Sequence, residues 1–237
     1  LKFANINAKE YVANIYDYNY SWRSAVFEYI EGKGYEENTK PSKEEITSAM
    51  NFIKALNGSK TKEKLLITMD ASESYLEIRN HIDNIERRIE SMRTDHIEKP
   101  YEGEAKKIKK KLGRQVKLLK KLYMVKSRTE KILQLRKDQR CISPSDFGFH
   151  NAILTEKGIK FIDFEHAGWD DPAKMITDFI LQPHCPTGEI EIDSVMDTFN
   201  EGRETLKKRV ELMMTIMTLK WSCIIMNMLT PTKYIER

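Results

Sequence analysis

The chain has 237 residues, 40% of them hydrophobic and 32% charged, with a formal net charge of +4. That composition and length exclude a disordered or fibrous chain and leave room for a sizeable core in one large domain, or one and a half. Cys141, Cys185 and Cys223 lie too far apart for a disulfide framework or a metal-ligand cluster, and with no secretory signal at the start they point to a reducing, cytoplasmic setting. The chain opens with Leu1 rather than Met, from which we expect that a longer natural protein begins upstream.

Val12–Tyr18 and Ser24–Tyr29 are rich in β-branched and aromatic residues, and the polar link NYSWR between them predicts a hairpin. In the connector EGKGYEENTK, Gly32 and Gly34 read as residues that let the chain turn. A helix opens at Pro41, with Ser42 as N-cap and Glu45 as its capping-box partner, and stops at Asn57-Gly58. In Ser72–Thr94, Ile78, Ile82, Ile85, Ile89 and Met92 step by four, three, four and three, which predicts a helix with one apolar face. Pro100–Gly103 breaks the pattern. A second helix is predicted from Glu104 to about Leu135, with Ile108, Leu112, Val116, Leu119 and Tyr123 on one stripe. Two such helices should pack as an antiparallel pair, with a dimeric coiled coil, and hence a homodimer through this region, as the alternative. Between Lys99 and Lys137 stand 15 Lys/Arg against 3 Asp/Glu, or +12, which leaves −8 for the rest of the chain. The apolar stripe of this block and its lack of aromatic residues beyond Tyr101 and Tyr123 favour a solvated helix face over nucleic-acid binding.

From Cys141 the texture changes. Asn151–Leu154 and Ile159–Phe164 are short apolar runs around Thr-Glu-Lys-Gly, a hairpin with its turn glycine at Gly158. Asn151 opens the first strand and Asp163 lies near the end of the second, so an antiparallel hairpin brings them to one pocket. Their amide and carboxylate oxygens suit Mg²⁺ holding phosphates. Asp146, one loop away, is placed to accept a proton from an attacking hydroxyl, the division of labour that phosphoryl transfer needs. His150 and His166 read as surface or packing histidines, Glu165 as a further candidate for a second metal, and Trp169 as packing under the next loop. After Pro172 the chain reads as helical to its end, apart from a loop at Gln182–Gly188. Val210–Leu229 contains Glu211 and Lys220 and reads as a buried helix rather than a membrane span, and its methionines as helix core.

The order Asp146-x-x-x-x-Asn151, then Ile162-Asp163-Phe164-Glu165, Asp171-Pro172 and Asp178-Phe179 resembles the aminoglycoside phosphotransferase and choline kinase group. The resemblance implies an α+β, protein-kinase-like fold. Residues 1–32 would close the nucleotide-binding lobe and form the hinge, and 33–237 would be the mostly helical catalytic lobe, with a helical insertion at about 60–137. It assigns Asp146 as the base, Asn151 and Asp163 as Mg²⁺ ligands, Asp171-Pro172 as the family's structural Asp-Pro, and Asp178 as a brace for the loop backbone. It places Phe27 behind the adenine of ATP, whose edge would meet the Glu28 carbonyl and the Ile30 N–H. Pro144 stands where the group usually has His. The residues before Val12 hold neither a phosphate-covering loop nor a strand lysine, so the first half of the nucleotide lobe is expected to be missing. The implied function is ATP-dependent phosphate transfer to a small-molecule hydroxyl, such as that of a sugar or an amino alcohol. The basic second helix argues for a neutral or anionic acceptor. A catalytically impaired, kinase-like scaffold that recruits partners through its helical insertion is the alternative.

Overall fold

The computed structural model describes residues 2–19, 21, 22, 24–58, 67–126, 133–187, 192–199 and 202–229. The chain divides into two units, Leu1–Ser74 with Arg136–Lys207 and Tyr75–Leu135 with Lys208–Arg237.

The first unit begins with α1 (Lys2–Asn7) and the antiparallel hairpin of β1 (Ile15–Asn19) and β2 (Ser24–Phe27). The predicted hairpin is present, although its strands are shorter than the apolar runs, and Tyr16, Tyr18, Trp22, Val26 and Phe27 stay exposed. The connector then forms β3 (Lys33–Gly34), which pairs with the strand of residues 152–155. Gly32 and Gly34 therefore do not act by turning the chain. A Cβ on Gly32 would lie 2.4 Å from the Leu154 carbonyl oxygen, so glycine is there for close approach.

The helix α2 (Lys43–Gly58) starts where its cap predicts. Ser42 Oγ accepts from the Glu45 N–H at 3.2 Å, and Glu45 Oε2 accepts from the Ser42 N–H at 2.6 Å. Its buried face carries Ala49, Met50, Phe52, Ile53 and Leu56. At its end the buried Asn57 side chain acts like one rung of a sheet: Oδ1 accepts from the Ile142 N–H at 2.7 Å and Nδ2 donates to the Ile142 carbonyl at 2.9 Å.

Two short ladders carry the rest. β4 (Cys141–Ser143) pairs antiparallel with β7 (Gly168–Asp170), and β5 (Ala152–Thr155) with β6 (Gly158–Phe161). Gly158 sits at φ +119°, as the predicted turn requires. The second strand ends at Phe161, not Phe164. Then come α5 (Pro172–Leu181) and the single turn α6 (Asp193–Met196).

The second unit holds α3 (Ile78–Ser91), α4 (Lys99–Lys126) and, from Lys208, most of α7 (Arg203–Ile225). α3 starts with the first isoleucine of the stripe, six residues later than the predicted range of Ser72–Thr94, because the preceding backbone serves another partner: in the first unit, Ala71 N–H donates to the Trp169 carbonyl and Ser72 N–H to the His166 carbonyl. α4 starts earlier than expected. Pro100 and Gly103 do not break it, since proline in a first turn lacks only an N–H that has no helical partner. Residues 127–132 of the predicted helix lie outside the described residues, and Leu135 is not helical.

α3 and α4 run antiparallel, as predicted: Lys120, late in α4, binds Glu86 and lies 3.3 Å from Asp83, while Lys109, earlier, donates to the Met92 carbonyl. Ile78, Ile82, Ile85 and Ile89 of α3 and Leu112, Val116 and Leu119 of α4 are buried. Met213 and Met217 of α7 are core, as read from the sequence. Among the described residues no helix is long and apolar enough to cross a membrane.

Asn57 ties α2 to the strand that leads into the Asp146–Asn151 loop, so truncating it strands two buried main-chain groups. Asn57→Ala should lower the unfolding free energy by about 2–4 kcal/mol in a urea titration, from one to three for each orphaned group less what water recovers.

Candidate active site

Asp146 and Asn151 lie on the loop that leaves β4 and enters β5, and Asp163 on the loop that leaves β6 and enters β7. Both loops thus bridge the same two ladders, which is why three residues spread over eighteen positions come to one region. Beyond the last β5–β6 pair, Ala152 with Phe161, the Ile162 N–H donates to the Asn151 carbonyl at 2.9 Å. Asp163 is therefore the next residue after the one facing Asn151.

Within the first loop a single side chain faces out. Cys141 to Phe149 are all buried except Asp146, whose side chain is 53% exposed. Phe147 and Phe149 turn into the core: Phe147 stacks on Phe179 at 4.6 Å between ring centroids, and Phe149 meets Tyr35 at 5.0 Å and Phe179 at 5.5 Å. Phe161, stacked on Phe52 at 4.7 Å, lies 5.2 Å from Phe147. The void beside these rings is only about 10 Å³. The Tyr35 hydroxyl donates to Glu45 Oε1 at 2.7 Å, and burial, then this bond, raises its pKa.

The loop's entry is fixed without a histidine. Ser143 Oγ accepts from the Ser145 N–H at 2.9 Å, Pro144 is buried, and Ser145 Oγ lies 3.5 Å from the Ser72 carbonyl oxygen. Ser145 takes φ +73° and Asp163 φ +60°, two of the four positive-φ residues other than glycine among those described. Such conformations cost about 1–3 kcal/mol each and persist only where the surroundings impose them.

Asn151 donates through Nδ2 to the Asp146 carbonyl oxygen at 3.0 Å, which directs its Oδ1 elsewhere. Asp163 is exposed and has no hydrogen bond or ion pair with any described residue. One amide oxygen and one free carboxylate fit Mg²⁺, which keeps several waters and substrate oxygens in its shell. Among the described residues no group of three or more His, Cys, Asp and Glu could hold a metal ion by itself.

Glu28 and Ile30 lie at the other end of this hairpin. β3 pairs Lys33 with Leu154 and Gly34 with Ile153, so the segment before it runs toward the β5–β6 turn, away from Asn151. Glu28 is anchored through its side chain, Oε2 accepting from Asn14 N at 3.0 Å and Nδ2 at 2.7 Å, and the bond to the Asn14 N–H lowers its pKa. No hydrogen bond among the described residues takes up the Glu28 carbonyl or the Ile30 N–H. Phe27 is partly exposed. Glu165 pairs with His166 at 3.2 Å, and Trp169 donates its indole N–H to the Ile67 carbonyl at 2.7 Å.

His150 was read as a surface or packing residue, and its position is more specific than that. Its Nε2 lies 3.2 Å from Asp146 Oδ1 with the ring mostly buried. The signal in the sequence was the spacing of four from Asp146, which carries meaning only once the loop is known to curl through a 3₁₀ turn at Phe149–Asn151.

Below the loops, Asp171 caps α5, its Oδ1 accepting from the Ala173 N–H at 2.9 Å with Pro172 at N1. Lys174, fully buried, binds Asp170 at 2.8 Å and lies 3.4 Å from Asp178. Burial opposes its charge, but the two carboxylates outweigh burial and raise its pKa. Burial raises the pKa of Asp170, with Lys174 offsetting part of the rise. In the second unit, a cavity of about 490 Å³ is lined by Ile97, Tyr101, Ala105, Ile108 and Leu229, none of them a residue singled out for chemistry.

No family model matches the chain, and no curated protein matches it. Solved structures do. A choline/ethanolamine kinase family protein from Mesorhizobium loti superposes with a TM-score of 0.53 at 16% identity, over 97% of this chain and 70% of that one. An ethanolamine kinase of Plasmodium vivax gives a TM-score of 0.52 at 16% identity, over 94% of this chain and 63% of that one. The chain thus spans only part of the length of either structure. At these identities the likeness is one of fold: the α+β, protein-kinase-like architecture expected from the residues is present.

The charge cluster under the loops yields a stability prediction. Lys174→Met leaves Asp170 and Asp178 buried without their cation, and should cost about 3–5 kcal/mol at pH 7 in denaturant unfolding. Burial holds the Asp170 carboxyl above its unfolded pKa, so the folded variant takes up protons first. The deficit should accordingly shrink between pH 7 and pH 5 and not grow.

Proposed function

We propose that the protein is an ATP-dependent phosphotransferase that moves the γ-phosphate to the hydroxyl of a small acceptor. The observation that carries this reading is the exposure of Asp146 on an otherwise buried loop, beside the hairpin end that bears Asn151 and Asp163. The fold shared with choline and ethanolamine kinase structures supports it.

In this reading the nucleotide lies along the β5–β6 hairpin. The adenine edge meets the Glu28 carbonyl and the Ile30 N–H near the turn end, both of which lack a partner among the described residues. The phosphates reach the opposite end, a four-residue strand or about 13 Å away. There Asn151 Oδ1 and Asp163 would hold Mg²⁺, which when bound neutralises phosphate charge. Asp146 receives the acceptor's hydroxyl proton as its oxygen forms a bond to the γ-phosphorus, and ADP leaves with the electrons of the broken P–O bond. Asn151, by bonding the Asp146 carbonyl, sets the base and the metal ligand at a fixed separation. A carboxylate so exposed is accessible to a polar acceptor, and a site accounts for its placement better than packing does. The solved neighbours are named for choline and ethanolamine, so amino alcohols are the first acceptors to test and sugars the second.

Asp146→Asn in the full-length protein should lower kcat for phosphate transfer by about 10²–10⁴-fold while leaving Mg-ATP affinity nearly unchanged, measured by ADP release and by calorimetry. A parent protein that binds Mg-ATP yet transfers phosphate to no acceptor in an amino alcohol and sugar panel would favour the scaffold reading instead.

A further inference from the structure

We infer that His150 is a positioning residue for Asp146: its Nε2–H holds the carboxylate through Oδ1 and so orients it toward the acceptor hydroxyl. This rests on the phosphotransferase reading for its consequence, although not for its geometry.

The contact itself is 3.2 Å, between a carboxylate that is 53% exposed and an imidazole that is 18% exposed. An exposed aspartate otherwise samples several rotamers, and a base must meet its proton donor within hydrogen-bond reach. The ring, by contrast, sits in a shaped seat. A Cβ on Gly148 would lie 2.7 Å from His150 Nδ1 and 3.1 Å from Gln182 Cγ, so this position admits glycine only while the imidazole stays where it is. The His184 ring packs on it at 6.4 Å between centroids and is itself tied down, its Nε2 lying 3.1 Å from the Tyr35 carbonyl oxygen.

The seat also selects the tautomer. His150 Nδ1 is buried and has no hydrogen-bond partner among the described residues. A proton there would be a buried donor without an acceptor, whereas a proton on Nε2 has Asp146 Oδ1 within reach. The Nε2–H form therefore suits both ends of the ring. Phe149, locked between Tyr35 and Phe179, fixes the backbone from which His150 projects. Seat, tautomer and backbone together make the ring the more rigid partner, and Asp146 the one that is held.

Two measurements on the full-length protein test this. The first needs no catalysis: long-range ¹H–¹⁵N correlation in ¹⁵N-histidine-labelled protein should show His150 as the Nε2–H tautomer, with that resonance shifted in Asp146→Ala. An Nδ1–H tautomer, or a resonance indifferent to Asp146→Ala, overturns the proposal even if the protein transfers no phosphate. The second reads kinetics: His150→Leu should lower kcat about 10- to 100-fold with the KM for ATP unchanged, the scale of a misplaced reacting group. His150→Gln, which keeps a neutral donor, should restore most of the loss, and Gly148→Ala, which displaces the ring, should resemble His150→Leu. A kcat for His150→Leu within 2-fold of the parent, or a Gln variant as slow as Leu in a protein with an unchanged melting temperature, would refute the role. Loss of transfer in Asp146→Asn alongside an indifferent His150 would leave the phosphotransferase reading standing and remove only this one.

Discussion

The Phe147–Phe179 stack governs what the molecule can present to solvent. The stretch Asp146-Phe147-Gly148-Phe149-His150 curls into a 3₁₀ turn at Phe149–Asn151, which brings Asp146 and His150 to 3.2 Å on one side of the loop and sends Phe147 and Phe149 into the core. Once Phe147 and Phe149 are committed to the core, Asp146 and His150 must face the other way. Each buried aromatic side chain brings about 2–3 kcal/mol of transfer free energy, and ring pairs add about 0.5–1.5 kcal/mol beyond that. Those terms exceed the cost of one strained residue, which is how Ser145 can be held at φ +73° beside them. The orientation of the exposed carboxylate is thus decided by hydrophobic burial one residue away.

The aromatic seat is itself held from below. β4 and β7 are only three residues each, too short to be stable alone, and Asn57, the 69–72 backbone and the Lys174 cluster brace them on different sides. A Cβ on Gly168 would sit 2.5 Å from the Met69 carbonyl oxygen, so the 69–72 strap lies directly on β7. Buried ion clusters rarely add much net stability, because desolvation absorbs most of the Coulombic gain. What the Asp170–Lys174–Asp178 cluster does supply is a directional constraint. It joins the last residue of β7 to α5, the helix that also carries Phe179, and so links the aromatic seat to the strand after Asp163.

What was legible in the sequence was local chemistry. Ser42 and Glu45 announce the start of α2 because a capping box involves only neighbours, and Gly158 announces its turn because a positive φ is a property of one residue. The isoleucine stripe announces α3 because the period is written into the chain. The failures share a cause. Residues 72–77 read as helical ahead of the stripe at Ile78, but main-chain partners on β7 and its preceding loop, about a hundred positions away, take the 69–72 backbone first. Gly32 reads as a turn former until Leu154, far along the chain, comes to within a methyl group of it. Pro100 reads as a breaker because its position within a first turn is invisible before the helix is placed. Asn151 and Asp163 could be assigned to one end of a hairpin because register is inherited from the turn, whereas His150 could not be assigned to Asp146 because that contact depends on how a loop without regular structure is pinned from beneath.

The departure at Pro144 shows how the same constraint can be met by other means. A histidine two residues before the loop aspartate would support the loop by side-chain hydrogen bonds. Here the proline presets its own φ, Ser143 Oγ takes the Ser145 N–H, and Ser145 reaches toward the Ser72 carbonyl. The Ser143–Ser145 bond is buried, where it contributes about 1 kcal/mol net and leaving it unmade would cost more, while the longer Ser145–Ser72 contact is part-buried and weaker. The support has moved from one ring to the backbone and two hydroxyls. The imidazole in this loop instead lies on the far side of the aspartate, at position 150, seated beside Gly148 and His184 with its Nε2 at the carboxylate. A loop whose shape is set largely by its own serines and phenylalanines does not depend on that histidine's Nε2, and this is the physical reason to look for its role at the carboxylate it touches.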